Sequence, residues 1–475
     1  MQLEPHGGRP ALAVSPEESA DSIETLHWRE TGLLLRIAAP LAGSYVAQFA
    51  IFLTTRLVVG RLGAEEFAAV GLAGTILFGI LACLEGILSI VAVLAAHAIG
   101  RGEGREVGNI VRQGLVLAAL LAVPFTLLTW SLGDLLKMLG QDPGVVTYSE
   151  QYLRAVAWSI LPTLGFHVLK EFLAALARAG VILAISIGGV GLNLGLTAGL
   201  AFGWGGLPAM GVAGAGWATT IVSWAMFLAL AAYVLWHPAF RKYAVLSLKL
   251  GSEWTAIREI LRLGLPIAAI VILEAGLFAS VALLSGVFGA TSLAAYYVLE
   301  AFIGASFTLS IGLGEAAMVR VAYQLGRGDI ACCRFIGLVA LAIAVSIAAS
   351  MMILPLLFPD FAIRVFLESS DSDFGEVEAR VRGLLLFVAV FQVFDALQGV
   401  AARALRGLQD TTVPLAIAGT GYWLLGLGGG VFLAFGLDWE VVGLWLGLAT
   451  GFIATGLLLT FRFLWLTAKP RDSAA

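Results

Sequence analysis

The chain has 475 residues, 60% hydrophobic and 13% charged, with a mean hydropathy of +0.94; soluble domains carry roughly 25% charged residues, so a water-soluble fold is excluded. A net charge of −4 speaks against a nucleic-acid-binding surface, and the absence of a glycine-rich phosphate loop with its lysine leaves ATP use without support. The apolar runs are continuous over about twenty residues, the helix length that crosses a hydrocarbon core of about 30 Å, rather than the ten-residue alternation of an outer-membrane barrel.

Residues 1–32 are acidic, contain Pro5 and Pro10, and lack a basic segment followed by a short apolar core. They read as a cytoplasmic N-terminal segment, with no cleaved signal peptide expected. Twelve transmembrane helices are predicted next, giving an all-α polytopic membrane protein. Spans 33–59, 70–98, 110–131, 147–169, 181–203 and 209–236 make a first half (33–236), and a cytoplasmic linker covers 237–258. Spans 259–287, 291–319, 331–356, 381–400, 411–436 and 441–466 make a second half (259–466), followed by a cytoplasmic tail at 467–475.

Basic residues collect in alternate loops: Arg101, Arg105 and Arg112; Lys170 and Arg178; Arg241, Lys242, Lys249 and Arg258; Arg320, Arg327 and Arg334; Arg403 and Arg406. By the positive-inside rule that side is cytoplasmic, which places both termini inside a bacterial inner membrane. In loop 9/10, on the opposite side, Arg364, Arg380 and Arg382 are outweighed by Asp360, Glu368, Asp371, Asp373, Glu376 and Glu378. The three cysteines, Cys83, Cys332 and Cys333, suit small apolar packing and give no disulfide framework or metal-ligand spacing.

A repeat runs at a fixed offset of 226 residues. It pairs Pro40 with Pro266, Gly60 with Gly286, Gly63 with Gly289, Ala64 with Ala290, Ala68 and Ala69 with Ala294 and Ala295, and Gly100-Arg101-Gly102 with Gly326-Arg327-Gly328. With six spans per half, the halves enter the membrane from the same side and are related by an axis along its normal. A cleft between them is the natural place for substrate. Pro40 and Pro266 either bend spans 1 and 7 at equivalent points or sit harmlessly in a first turn.

Two acids lie deep in apolar sequence: Glu274 within LPIAAIVILEAGLFASVALL and Asp395 within LLLFVAVFQVFDALQGV. An ionised carboxylate in hydrocarbon is costly, so each needs a partner, a bound cation or a proton. The alternative role is structural, a protonated acid bonding across two helices. Glu85, Glu300 and Glu315 are further acids within spans; Glu300 is placed to add a carboxylate to the Glu274 site, and Glu315 requires a partner on another helix. Arg56, in span 1, either neutralises one of the acids or reaches outward to water.

The stretches IAAPLAGSYVAQFAIFLTTRLVVGRLGAEEFAAVG, LRLGLPIAAIVILEAGLFASVALLSGVFGATSLAAY and FQVFDALQGVAARALRGLQDTTVPLAI resemble multidrug and toxic compound extrusion (MATE) transporters, most closely the bacterial multidrug branch. The resemblance implies a V-shaped protein of two six-helix lobes that exports amphiphilic, often cationic, compounds against a cation. It also implies that Glu274 and Asp395 couple transport to Na⁺ or H⁺. Departures are visible: Thr55 stands where the family often has an acid, Gly189 where a second asparagine accompanies Asn193, and Phe391 where a tyrosine precedes the motif acid. Asn193 is expected to bind water or substrate or to join two helices, and Phe391 to form an aromatic wall. Thr55, Glu85, Pro40 and Pro266 are counted with them as candidate substrate or gating positions. A monomer without cofactor or nucleic-acid partner, in contact with lipid and small cationic compounds, is expected. A flippase for lipid-linked intermediates is the competing transporter reading, and a lipid-modifying membrane enzyme a remoter one.

Overall fold

Every regular element among the described residues is a helix. The computed structural model describes residues 16–245, 254–360 and 374–468. Residues 1–15, 246–253 with Lys249, 361–373 with Arg364, Glu368, Asp371 and Asp373, and 469–475 lie outside the described residues. The helices are α1 (Pro16–Val59), α2 (Ala64–Leu88), α3 (Ile90–Arg101), α4 (Gly104–Met138), α5 (Pro143–Val156), α6 (Ile160–Ala175), α7 (Ala179–Phe202) and α8 (Gly211–Trp236). They continue as α9 (Trp254–Val287), α10 (Ala290–Gly326), α11 (Ile330–Leu357), α12 (Phe374–Gly407), α13 (Thr412–Gly436, with two π-helical stretches) and α14 (Glu440–Ala468).

Eleven helical runs among the described residues are long and apolar enough to cross a membrane, with α2 and α3 counting as one. The predicted fourth span is the exception: it is split into α5, a 3-10 turn at Ala157–Ser159, and α6. Pro162 has no N–H to offer the Trp158 carbonyl, and the chain tightens into the 3-10 turn just ahead of it. The start of α5 is fixed by Asp142, whose side chain accepts from the N–H groups of Gly144 (2.8 Å) and Val145 (3.3 Å), with Pro143 as the first helical residue. α1 also starts well before residue 33, so part of the expected N-terminal segment belongs to the helical body.

Pro40 and Pro266 are interior to α1 and α9, which removes the first-turn reading. Each leaves the carbonyl four residues earlier, at Arg36 and Arg262, without its helical donor. The Gly-Arg-Gly repeat has a geometric cause. Gly102 and Gly328 adopt left-handed φ of 80° and 78° as they end α3 and α10. The following N–H groups, of Glu103 and Asp329, reach back to the carbonyls of Ala98 (2.9 Å) and Gln324 (3.0 Å), which is the Schellman ending in both halves. Gly100 and Gly326 touch each other: a methyl on Gly100 would stand 3.1 Å from the Gly326 Cα, and one on Gly326 3.2 Å from the Gly100 Cα. Residues equivalent under the repeat can meet in this way only on the axis that relates the halves.

Other contacts obey the same symmetry. A methyl on Gly86 would lie 3.6 Å from the Cα of Ala268, and one on the equivalent Gly312 would lie 2.6 Å from the Cα of the equivalent Ala42. The joint is therefore α1 on α10 and α2 on α9, with α3 crossing α10 at the axis. Within the second half, Gly443, Gly447 and Gly451 of α14 let its backbone lie directly on Ala434, Gly430 and Gly426 of α13, as small residues spaced by four permit.

Buried apolar residues form two clusters. One runs from α1 through α9 and continues into Leu313–Leu325 of α10, the Ala396–Leu408 segment of α12 and Phe463 of α14, uniting both halves at the end that carries Arg101 and Arg327. The other, from Ile270 to Phe452, belongs to the second half alone. The halves thus share a core at their basic end.

The axis contact yields a test. Gly326→Ala would drive a methyl into the His97 carbonyl and is expected to cost roughly 1–3 kcal/mol, the usual penalty of overpacking. Gly191→Ala, with nothing within 4 Å, is expected to be neutral or slightly stabilising. Thermal unfolding of the detergent-solubilised protein reads both, and equal effects would contradict the packing described.

Candidate functional site

α12 carries a polar stripe through the membrane: Asp395, Gln398, Gly399, Arg403 and Arg406 fall on one helical face. Asp395 is buried, and Glu274 approaches from α9, two turns beyond Pro266. Between them lies the Gln398 amide, whose Nε2 donates to Asp395 Oδ1 at 3.2 Å and Glu274 Oε1 at 3.5 Å. Its Oε1 accepts from the Tyr422 hydroxyl at 2.8 Å, which orients the NH₂ toward the acids. Tyr422 comes from the π-helical stretch Thr420–Gly428 of α13, where the wider turn re-aims side chains. Two carboxylates therefore share one neutral donor, an arrangement stable with both charged only if a cation joins them, or with one protonated.

Glu300 is joined to this pair by no hydrogen bond among the described residues. It is half-buried, one turn beyond Tyr296 and in electrostatic reach of it, and among the described residues no group of three His, Cys, Asp or Glu side chains converges as a metal cluster would. Phe391 is fully buried, with ring centroids 4.6 Å from Phe452 and 6.2 Å from Phe278; it backs the site from the core and does not face an open cleft. In the first half, Thr55 and Asn193 meet. Asn193 Oδ1 accepts from Thr54 (3.0 Å) and Thr55 (3.1 Å), so this asparagine joins α1 to α7. Arg56 donates to the Gly71 carbonyl at 3.1 Å and lies over the Phe52 ring at 4.1 Å, which ties α1 to α2.

A second set of buried charges lies where the halves meet. Lys170 and Glu171 of α6 are 2% and 1% exposed. Lys170 Nζ donates to the Tyr45 hydroxyl at 3.1 Å and lies 3.4 Å from Glu171. His167 stands between Glu85 at 3.6 Å and Glu171 at 3.5 Å. Opposite them, Glu315 of α10 accepts from Arg403 of α12 at 3.3 Å, the partner on another helix that its position required. Nearer the basic end, Glu30 of α1 accepts from Arg320 through both oxygens, at 2.8 and 2.6 Å, and from Gln324 at 3.0 Å. Pro40 and Pro266 lie inside the helices α1 and α9.

Of this second set the sequence offers Glu85 and Glu315 as acids within spans but not the groups that meet them. Of the bases that the sequence assigns to loops, Lys170, Arg320 and Arg406 are buried and Arg403 is half-buried, each paired or faced by acids; Arg101, Arg105, Arg178, Arg327 and Arg334 still mark that end. The available signal was the run His167-x-x-Lys170-Glu171 inside an otherwise apolar segment.

The MatE family model matches residues 40–198 and 266–432, so its two stretches begin at Pro40 and Pro266, one repeat apart. A probable multidrug resistance protein NorM of Mesorhizobium japonicum is 36% identical over 450 residues, covering 94% of this chain and 96% of that protein. The multidrug resistance protein NorM of Burkholderia vietnamiensis is 34% identical over 460 residues, covering 96% and 97%. Among solved structures, the eukaryotic MATE transporter AtDTX14 superposes with a TM-score of 0.83 at 22% identity over 94% of this chain and 99% of that one. An outward-facing multidrug resistance MATE transporter of the MOP superfamily gives 0.84 at 20% identity over 94% and 97%.

The Glu30–Arg320 pair supplies a further test. Arg320→Met alone strands a buried carboxylate and is expected to cost roughly 3–5 kcal/mol, whereas Glu30→Leu with Arg320→Met should cost much less, since the charge is removed with its partner. Thermal unfolding of the two variants checks this; a double variant no more stable than the single would show the pair to be unimportant.

Proposed function

The chain belongs to the MATE family of transporters, and from that premise we propose that it exports amphiphilic, often cationic, organic compounds by antiport against Na⁺ or H⁺. Membership makes it a multi-pass membrane transporter and not an enzyme. The observation that carries the coupling is the Gln398 amide held between Glu274 and Asp395. A buried carboxylate and a half-buried one that share one neutral donor attract a single positive charge, and oxygen-rich sites of this kind suit Na⁺ as well as a proton.

Transport then follows from differential binding: the cation stabilises one arrangement of the halves, substrate the other, and neither need be altered chemically. The shared core at the basic end and the separate core of the second half support a V-shaped arrangement of two six-helix lobes, with the split fourth span completing twelve. On the positive-inside reading the closed end is cytoplasmic and the cleft faces outward. The flippase alternative calls for free buried bases able to hold phosphate. Lys170, Arg320 and Arg403 instead lie against Glu171, Glu30 and Glu315, which favours the drug-export reading.

In proteoliposomes loaded with a fluorescent organic cation, an imposed Na⁺ or H⁺ gradient is expected to drive transport. Glu274→Gln and Asp395→Asn should each reduce it severely, and the double variant little further, because the two acids serve one site. Strictly additive losses would divide the site in two, and transport indifferent to both gradients would remove antiport altogether.

Orientation is tested separately. Cysteines placed in loops 2/3, 4/5, 8/9 and 10/11 should resist an impermeant reagent added to intact cells, while one in loop 9/10 should react. External labelling of loop 8/9 would reverse the assignment.

A further inference from the structure

One ion pair, Arg403 with Glu315, stands between the acid pair and the joint. Arg403 lies on the same α12 face as Asp395, two turns nearer the basic end. Its Nε bonds Glu315 at 3.3 Å and its Nη1 bonds the Gly399 carbonyl at 3.1 Å. The side chain occupies space left by Gly314, where an added Cβ would come within 2.5 Å of the Arg403 Cδ. The guanidinium is also within electrostatic reach of both Glu274 and Asp395. Glu315 in turn, buried on α10, is in electrostatic reach of Tyr45, Glu85, Lys170 and Glu171 of the first half.

Charge counting explains why this matters. This group of charges contains five acids, Glu85, Glu171, Glu274, Glu315 and Asp395, against three bases, Lys170, Arg403 and Arg406. Arg406 reaches Glu274 and Glu315 electrostatically and adds its charge to the same face. α11 and α14 also pack on α12, but among the described residues neither brings a charged contact to Arg403. Arg403 alone bonds Glu315 while facing both acids of the pair. When the pair holds its cation, Arg403 is free to neutralise Glu315. With the pair empty, its two negative charges would draw Arg403 toward them and leave Glu315 to the field of Lys170 across the joint.

We propose that Arg403 is a positioning residue that transmits the charge state of the Glu274–Asp395 pair to Glu315, so that filling the pair loosens the joint between the halves and emptying it tightens that joint. The inference rests on the antiport reading and adds to it the route by which the cation moves the lobes.

The test uses the full chain in nanodiscs, with Cys83, Cys332 and Cys333 replaced by Ala and spin labels at Arg105→Cys and Arg334→Cys, exposed positions at the basic ends of α4 and α11. Saturating Na⁺, or a step to lower pH, is expected to shift the inter-label distance toward a longer population. Arg403→Gln should reduce that population ratio about tenfold, within the usual range of coupling between sites, while cation binding itself, followed by ²²Na⁺ or by proton uptake, persists. Arg403→Lys should restore part of the response. Glu315→Gln should lose it to the same extent, and the double variant no more than either single. An Arg403→Gln protein that moves as far as the parent overturns the relay alone. A parent that moves with neither ion overturns the antiport reading and the relay with it. Should Arg403→Gln fail to fold, Glu315→Gln and Arg403→Lys decide the matter, and a parental response in both would overturn the relay.

Discussion

A charge carried into hydrocarbon must be matched there, because leaving it alone at the centre of a bilayer costs about 2.5–3.5 kcal/mol even on the mildest scales. That constraint organises this protein. α12 threads Asp395, Gln398, Arg403 and Arg406 through the membrane on one face, and neighbouring helices answer each in turn: Glu274 from α9, Tyr422 from α13 and Glu315 from α10. At the acid pair the matching is thin, because two carboxylates share one amide. On the proposed reading, that deficit is what a coupling cation supplies.

The joint between the halves shows how a duplicated chain turns symmetry into asymmetric contact. Backbone approach at Gly100 and Gly326, and at Gly86 and Gly312, follows the repeat on both sides. The charges laid over it do not. Glu30 corresponds to Ala256, Arg320 to Leu94 and Glu315 to Ser89 under the same offset of residues. The small-residue packing sets where the halves touch, while the unrepeated ions make that contact asymmetric. A buried ion pair of this sort adds little net stability compared with apolar packing but strongly disfavours arrangements that separate its members.

Much of the fold was legible in the sequence, because apolar length and the 226-residue repeat are local or periodic signals. The positions of Pro40, Pro266, Glu274 and Asp395 were legible for the same reason. The expected fourth span is helical from end to end, and only its tightening into a 3-10 turn ahead of Pro162, which leaves the overall hydropathy unchanged, was not legible. The partners of the acids were not legible: Gln398 lies 124 residues from Glu274, and Arg320 lies 290 from Glu30. No spacing rule reaches so far. Lys170 looked like a loop base because it sits near the end of an apolar run, yet the helix continues to Ala175 and takes it inside. Phe391 shows the converse error: an aromatic residue beside a motif acid suggested a cleft wall, but only tertiary packing decides which face of a helix is open.

The central claim is that Glu274 and Asp395 constitute one site for one positive charge, in competition with substrate. Counting bound ions in the purified protein tests it most directly, by equilibrium ²²Na⁺ binding together with an indicator of proton release, with and without a saturating organic cation. The expected result is a single cation equivalent per chain, displaced when substrate binds and lost in Glu274→Gln. Two independent equivalents, or a bound cation that substrate leaves in place, would contradict it.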